Sequence, residues 1–158
     1  MKISEAKEMV YGKRENEILY ETTIGDYKIV IVNKHGEHPN AYVKVPEKVQ
    51  DKIILGLVHA YPEEHIFDGH MLEDFIDVNV HGGMTYNGDN IPKGYAYEDS
   101  DFDGWWYGWD YNHLGDYACY DIDDPYLNQK LKYEKKWTTD EIIAEALFVV
   151  KQIQENYE

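Results

Sequence analysis

EILYETTIGDYKIVIVN, residues 17–33, is the stretch whose reading decides the fold. Glu17–Ile24 is rich in β-formers, and Tyr27–Asn33 (YKIVIVN) alternates its apolar faces with no helical spacing. Gly25-Asp26 between them is a tight-turn pair, so the whole reads as a β-hairpin. Working outward, Lys34–Asn40 reads as a loop and Ala41–Val45 as a third strand that stops before Pro46. From Pro46 two readings stay open: a helix with Val49, Ile53 and Leu57 at spacing four, or a strand over Ile53–Val58. Phe75–His81 (FIDVNVH) alternates apolar and polar residues and predicts a strand, which Gly82-Gly83 bends and Met84–Tyr86 continues. Asn87–Gly104 and Asp121–Pro125 read as loops, and Trp105–Tyr111 as extended.

The two ends predict helices. Ser4 caps a short one over Glu5–Tyr11, ending near Gly12. At the other end Thr138 and Glu141 fit a capping box, and Ile142, Ile143, Ala146, Leu147, Val150 and Ile153 recur every three or four residues. The chain shows no internal repeat and no linker. The expectation is a single α+β domain over residues 1–158, with a mostly antiparallel sheet and a C-terminal amphipathic helix packed on it.

Charge is segregated along the 158 residues. Residues 1–52 hold 9 acids and 9 bases, and residues 130–158 hold 6 acids and 5 bases. Residues 53–129 hold 16 acids and one base, Lys93, which accounts for −15 of the net −16. Such a balance excludes sequence-independent binding to nucleic-acid backbones or to anionic lipid, both of which need clustered Lys and Arg. It allows cation binding, a basic protein partner or a solvated acidic face. With 43% hydrophobic and 15% aromatic residues the chain is no disordered acidic tail. It has no run long enough to span a membrane, its first residues lack the apolar core of a signal peptide, and Cys119 alone forms no internal disulfide. A cytoplasmic protein is expected.

HGGMT at 81–85, WWYGWDYNHLGD at 105–116 and AYVKVP at 41–46 form a pattern. It resembles a family of small phage and bacterial proteins that read HGG-x-T, an insert, then WW-x-GFD-x-x-H-x-GD, with an earlier GYV-x-P segment and a C-terminal amphipathic helix. Trp109 stands where the family has Phe. The resemblance spans roughly residues 41–118 and that helix. It assigns no biochemical activity. It implies a mobile-genetic-element setting, in which small acidic proteins often act on host defence systems.

Three constellations bear on function. Asp99, Asp101 and Asp103 with Gly104 match the D-x-D-x-D-G start of a calcium loop, although Asp110 stands where bidentate Glu is expected and the flanks do not read as helices. The plain alternative is a solvated acidic loop. Asp110, His113 and Asp116, with His81, offer two carboxylates and two imidazoles suited to zinc, iron or manganese. Gly82-Gly83 would leave backbone N–H groups open to an anion, Thr85 could orient a substrate, and a metal-bound water would attack an ester or phosphate. The alternative is a set of structural hydrogen bonds in a turn-rich core. Trp105, Trp106, Tyr107 and Trp109 lie in the most aromatic part of the chain, where acids and not bases are interleaved. That suits anchoring to a basic groove on another protein, with Asp99, Asp101 and Asp103 as phosphate surrogates. The expected partner is a basic nucleic-acid-binding protein of a host, such as a defence nuclease. The alternative places about half of these rings in the core. Cys119 with His113 lacks an activating context, and His65, His70 and Asp68 match no defined motif.

Overall fold

The computed structural model describes residues 5–60, 76–92, 102–120 and 134–158. Strands β1 (Glu17–Ile24), β2 (Tyr27–Lys34) and β3 (His38–Val45) are followed by helix α1 (Glu47–Ala60), strands β4 (Tyr86–Gly88) and β5 (Trp105–Asp110), and helix α2 (Thr139–Tyr157). They build a five-stranded antiparallel sheet in the order β1-β2-β3-β5-β4. The architecture is α+β, with α2 packed on the sheet.

The hairpin forms as its sequence dictates. Ile24 pairs with Tyr27 across the Gly25-Asp26 turn, where Gly25 takes a left-handed φ of 57°. The β2 alternation divides two cores. Ile29 and Ile31 face the helices, together with Ala41, Val43, Tyr107 and Trp109. Val30 and Val32 face the other side, where Tyr42, Trp106, Phe102 and Ile91 cover them. Both faces of β2 are therefore buried, which is why this strand is apolar at consecutive positions. Gly108 is needed at the centre of β5 because a Cβ there would strike the Tyr42 ring lying over it.

Several elements differ from the sequence reading. After Pro46 the helix prevails over the strand: Val49 and Ile53 are buried one turn apart. The third strand begins at His38, so the loop shrinks to a turn in which His35 takes φ 52° and Gly36 φ 70°. The strand after Gly82-Gly83 begins at Tyr86 and takes in Asn87 and Gly88, which the sequence assigned to a loop. Residues 6–10 carry no helical turn. They tie β1 to the start of α2: the Lys7 N–H donates to the Leu19 carbonyl at 2.8 Å, and Glu8 accepts from the Thr139 N–H at 3.1 Å. The Lys7 carbonyl also accepts from the Thr139 hydroxyl, and a carbonyl given to a distant partner is lost to a local helix.

The segment expected as a strand before Gly82 joins no ladder over its described residues, 76–81. Its alternation holds, with Ile76 buried and Val78 and Val80 packed against the main core. Its backbone is bonded instead to side chains of α2. The Asp77 N–H donates to the Tyr157 hydroxyl at 2.8 Å, and the Asn156 amide donates to the Asp77 carbonyl at 2.6 Å. Gln152 accepts from the Asn79 N–H at 2.6 Å and donates to its carbonyl at 2.8 Å. Glu145 accepts from the His81 N–H at 2.7 Å. One flank of α2 thus does what a neighbouring strand would do.

The start of α2 carries the expected box: the Glu141 N–H donates to Thr138 Oγ1 at 3.2 Å, and the Thr138 N–H to Glu141 Oε1 at 3.0 Å. Among the described residues no helix is long and apolar enough to cross a membrane.

Candidate functional site

The HGG turn, the loop after β5 and the residues just before α2 meet at Asp116. Its carboxylate is 5% exposed and takes three donors. His81 Nε2 lies 2.6 Å from Oδ2, the His113 N–H donates to the same oxygen at 3.0 Å, and the Trp137 indole N–H donates to Oδ1 at 2.8 Å. Burial opposes the charge on Asp116, but these hydrogen bonds outweigh it and hold the carboxyl below the usual carboxylate range. The His81 ring stacks on Tyr111 at 5.0 Å and 9°, with Trp137 tilted against it at 4.8 Å. Burial also pushes the Tyr111 phenol far above its ordinary value, so it stays neutral, and its hydroxyl accepts from the Trp109 indole N–H at 3.1 Å. With Nε2 on a carboxylate, a neutral His81 carries its proton on that nitrogen.

A second pair lies beside the first. His113 Nε2 is 3.1 Å from Asp110 Oδ1, yet out of line for a hydrogen bond, and this buried nitrogen has no hydrogen-bond partner among the described residues. The two imidazoles sit edge to face, 5.6 Å apart at 74°. Asp110 also accepts from the Asn112 N–H at 3.1 Å and from the Thr85 hydroxyl at 3.3 Å. The glycines of the motif have a steric reason. Gly82 has φ 70°, and a Cβ on it would overlap the His113 ring at Nε2; Gly83 follows with φ 84°. The Gly83 N–H is spent on the Val80 carbonyl at 2.9 Å.

The structure therefore brings His81, Asp110, His113 and Asp116 together, as two His–carboxylate pairs. Among the described residues no group of three or more His, Cys, Asp or Glu converges on a common point for a metal ion. Asp116 in particular is occupied by its three donors.

The aromatic set is corrected. Trp106 and Trp109 are fully buried and Tyr107 is buried, so none of the three offers a surface to a partner. The alternation of β5 sends Tyr107 and Trp109 into one core and Trp106 into the other. The Trp106 indole donates to the Phe102 carbonyl at 2.7 Å, and the Tyr107 hydroxyl donates to Gln50 at 2.7 Å. Trp105, at the sheet margin, is only half-buried.

Among the acidic residues Asp103 is exposed and accepts from the Asn90 amide at 3.4 Å; Asp99 and Asp101 lie outside the described residues, as do His65, His70 and Asp68. The flank after Gly104 is a strand, as its sequence reads, and not a helix. Residues 105–110 are a strand, which carries Asp110 about 17 Å from the seventh loop position, at about 3.3 Å per residue. A single ion cannot take ligands from both ends of it. Cys119 is buried, and the side chain that reaches its sulfur is Arg14, with Nη2 at 3.8 Å.

Trp137, Tyr111 and Glu145 belong to the site and were not singled out in the sequence. Only the nearness of Trp137 to the capping box hints at it; which ring faces Asp116 is a matter of tertiary packing. In comparisons with protein-family models, curated proteins and solved structures, the chain matches none.

Proposed function

We propose that this is an acidic cytoplasmic binding protein of a phage or mobile element. It occupies a basic, nucleic-acid-binding groove on a host protein, of the kind a defence nuclease has, and blocks it. The observation that carries this reading is where the acidic insert is anchored. Residues 89–104 hold five acids, Asp89, Glu98, Asp99, Asp101 and Asp103, against the single base Lys93. The ends of this insert meet beside β4, an edge strand of the sheet, where the Gly104 N–H donates to the Asp89 carbonyl at 3.3 Å. Asp89 and Asp103 are both exposed there. Exposed carboxylates at a sheet edge, here Asp89 and Asp103, raise the local negative potential and steer a basic partner to that edge. Trp105 remains the one aromatic of the four with exposed surface to add as an anchor.

The test is binding and inhibition measured against salt. The tagged chain and an Asp99→Lys/Asp101→Lys/Asp103→Lys variant are compared on a purified basic nuclease recovered with the wild-type chain from its host. Wild type is expected to compete with the nuclease's DNA or RNA, to lose affinity steeply as ionic strength rises, and to lose it at low salt in the triple variant. Affinity independent of both salt and the three aspartates would overturn the reading.

A further inference from the structure

Beyond that binding role, we propose that the chain pairs with a second copy of itself along the free edge of β1, antiparallel and in a register centred on Thr22. The two edges of the sheet differ. β4 is three residues long, whereas β1 is eight and holds neither Pro nor Lys, the residues that blunt an edge. Ile24 and Tyr27 flank a two-residue turn and exchange their backbone bonds. Thr22 and Tyr20 therefore also bond inward to β2, while Thr23 and Glu21 aim their N–H and C=O groups outward. Among the described residues nothing bonds those four outward groups. The Leu19 carbonyl, at the bulge, is taken by the Lys7 N–H at 2.8 Å, which leaves Tyr20–Ile24 as the regular, open stretch.

The side chains select the occupant and the register. A dyad at Thr22 sets Glu21 opposite Thr23 of the second copy, and Thr23 opposite its Glu21, so that all four outward groups of each copy are bonded. Thr22 meets Thr22, a favourable cross-strand pair, and Tyr20 meets Ile24 on the face of the main core, which then continues from one copy into the other. A dyad at Glu21 would set like charges opposite each other and needs the carbonyl that Lys7 holds. A dyad at Thr23 would run Glu21 against the Gly25 turn. Charge agrees with the choice of edge. Residues 1–52 balance 9 acids with 9 bases, and β4, with exposed Asp89 and Asp103 beside it, lies four strand spacings from β1, about 19 Å. Two copies of a chain of net −16 avoid setting those acidic edges against each other when they meet at β1. The contact is isologous, so it closes as a dimer and leaves both β4 edges outermost.

Sedimentation velocity of the full chain over a rising concentration series tests this. A contact made by one strand pair is small and reversible, so wild type is expected to pass from monomer to dimer with concentration and to stop there. Thr23→Pro removes a donor that points out of the hairpin and leaves the bonds to β2 whole; it should weaken the dimer about tenfold or more. Thr23→Glu, which sets a carboxylate against Glu21 of the second copy, should also weaken it, and Thr23→Lys, which sets an ammonium there, should tighten it severalfold at low salt. Circular dichroism reports whether each variant is folded, and the two charge variants keep the test open if Thr23→Pro is not. A wild-type chain that stays monomeric at every concentration, or grows past the dimer, overturns the proposal. So does a dimer of equal affinity in all the folded variants.

Discussion

The β1–β2 hairpin and the segment from Ile76 to Gly83 carry the same kind of sequence signal, yet they are held in different ways. Both place apolar residues at alternate positions, and β2 fills the positions between with apolar residues as well. In the hairpin the residues also find backbone partners across a ladder, from Glu17 opposite Asn33 to Ile24 opposite Tyr27, with Leu19 at a shift of register. In the second segment Ile76, Val78 and Val80 turn inward just as well, but the backbone groups between them are met by Tyr157, Asn156, Gln152 and Glu145 of α2. Period-two burial states which side chains face the core. It does not state who satisfies the backbone, because a helix flank bearing amide, carboxylate and phenol groups supplies the same donors and acceptors as a strand.

This contrast can be broken at graded cost. The largest effect is expected within the ladder. Trp109→Ala should destabilise the fold by about 4 kcal/mol, since it empties a fully buried site on a central strand; urea denaturation followed by tryptophan fluorescence measures it. A surface role for Trp109 would instead leave the midpoint unchanged.

Next comes the hub that joins the second segment to the rest. Asp116→Ala strands the His81 ring, the His113 N–H and the Trp137 indole at once and should cost about 3 kcal/mol. The same carboxyl gives a pH dependence. Its native pKa lies below the unfolded value near 3.9, so its contribution is present above that value and is lost as pH falls through the native pKa. Stability should therefore fall less steeply with acid in Asp116→Asn than in wild type, the gap between them closing as pH drops below about 4; urea midpoints measured against pH check this.

Gln152→Ala removes both bonds to Asn79 and should cost about 1–2 kcal/mol. Hydrogen exchange should then speed up at Asn79 and its neighbours while Val30 and Ile31 stay protected. Equal acceleration in the hairpin would show that the two regions open as one unit.

The smallest effect belongs to His38, at the start of β3. Burial holds its imidazole below the ordinary histidine value, against the pull of the Pro39 carbonyl 3.3 Å from Nδ1. A histidine kept neutral in the fold contributes stability above its unfolded pKa near 6.5 and loses it as pH falls below that value. The slope of stability between pH 5 and 7 should be shallower in His38→Gln; an unchanged slope would count against the burial of this ring as its cause.

Parts of the candidate site were legible in the sequence and parts were not. The pairing of His81 with the DYNHLGD loop could be suspected, because two histidines and two aspartates sit in short Gly-containing motifs. Their division into an Asp116 hub and an Asp110–His113 pair could not, since it depends on which oxygen each ring reaches across a turn. Counting aromatics overstated the surface of β5: four rings in six residues look like an interface, but a strand with a core on each face buries both sets.

What this sequence determined by itself is whatever closes within a few residues. The Gly25-Asp26 turn sets the hairpin register, Thr138 and Glu141 cap α2 reciprocally, and the alternation of β2 selects a strand, because each depends on dihedral preferences and neighbours close along the chain. What only the tertiary structure decided is whatever needs a distant partner: that residues 76–81 lean on a helix, that Gly82 must make room for His113, that Asp116 gathers three segments, and that Trp106 and Trp109 lie inside. Those outcomes turn on which buried polar group meets which donor or acceptor, and local sequence carries no record of that choice.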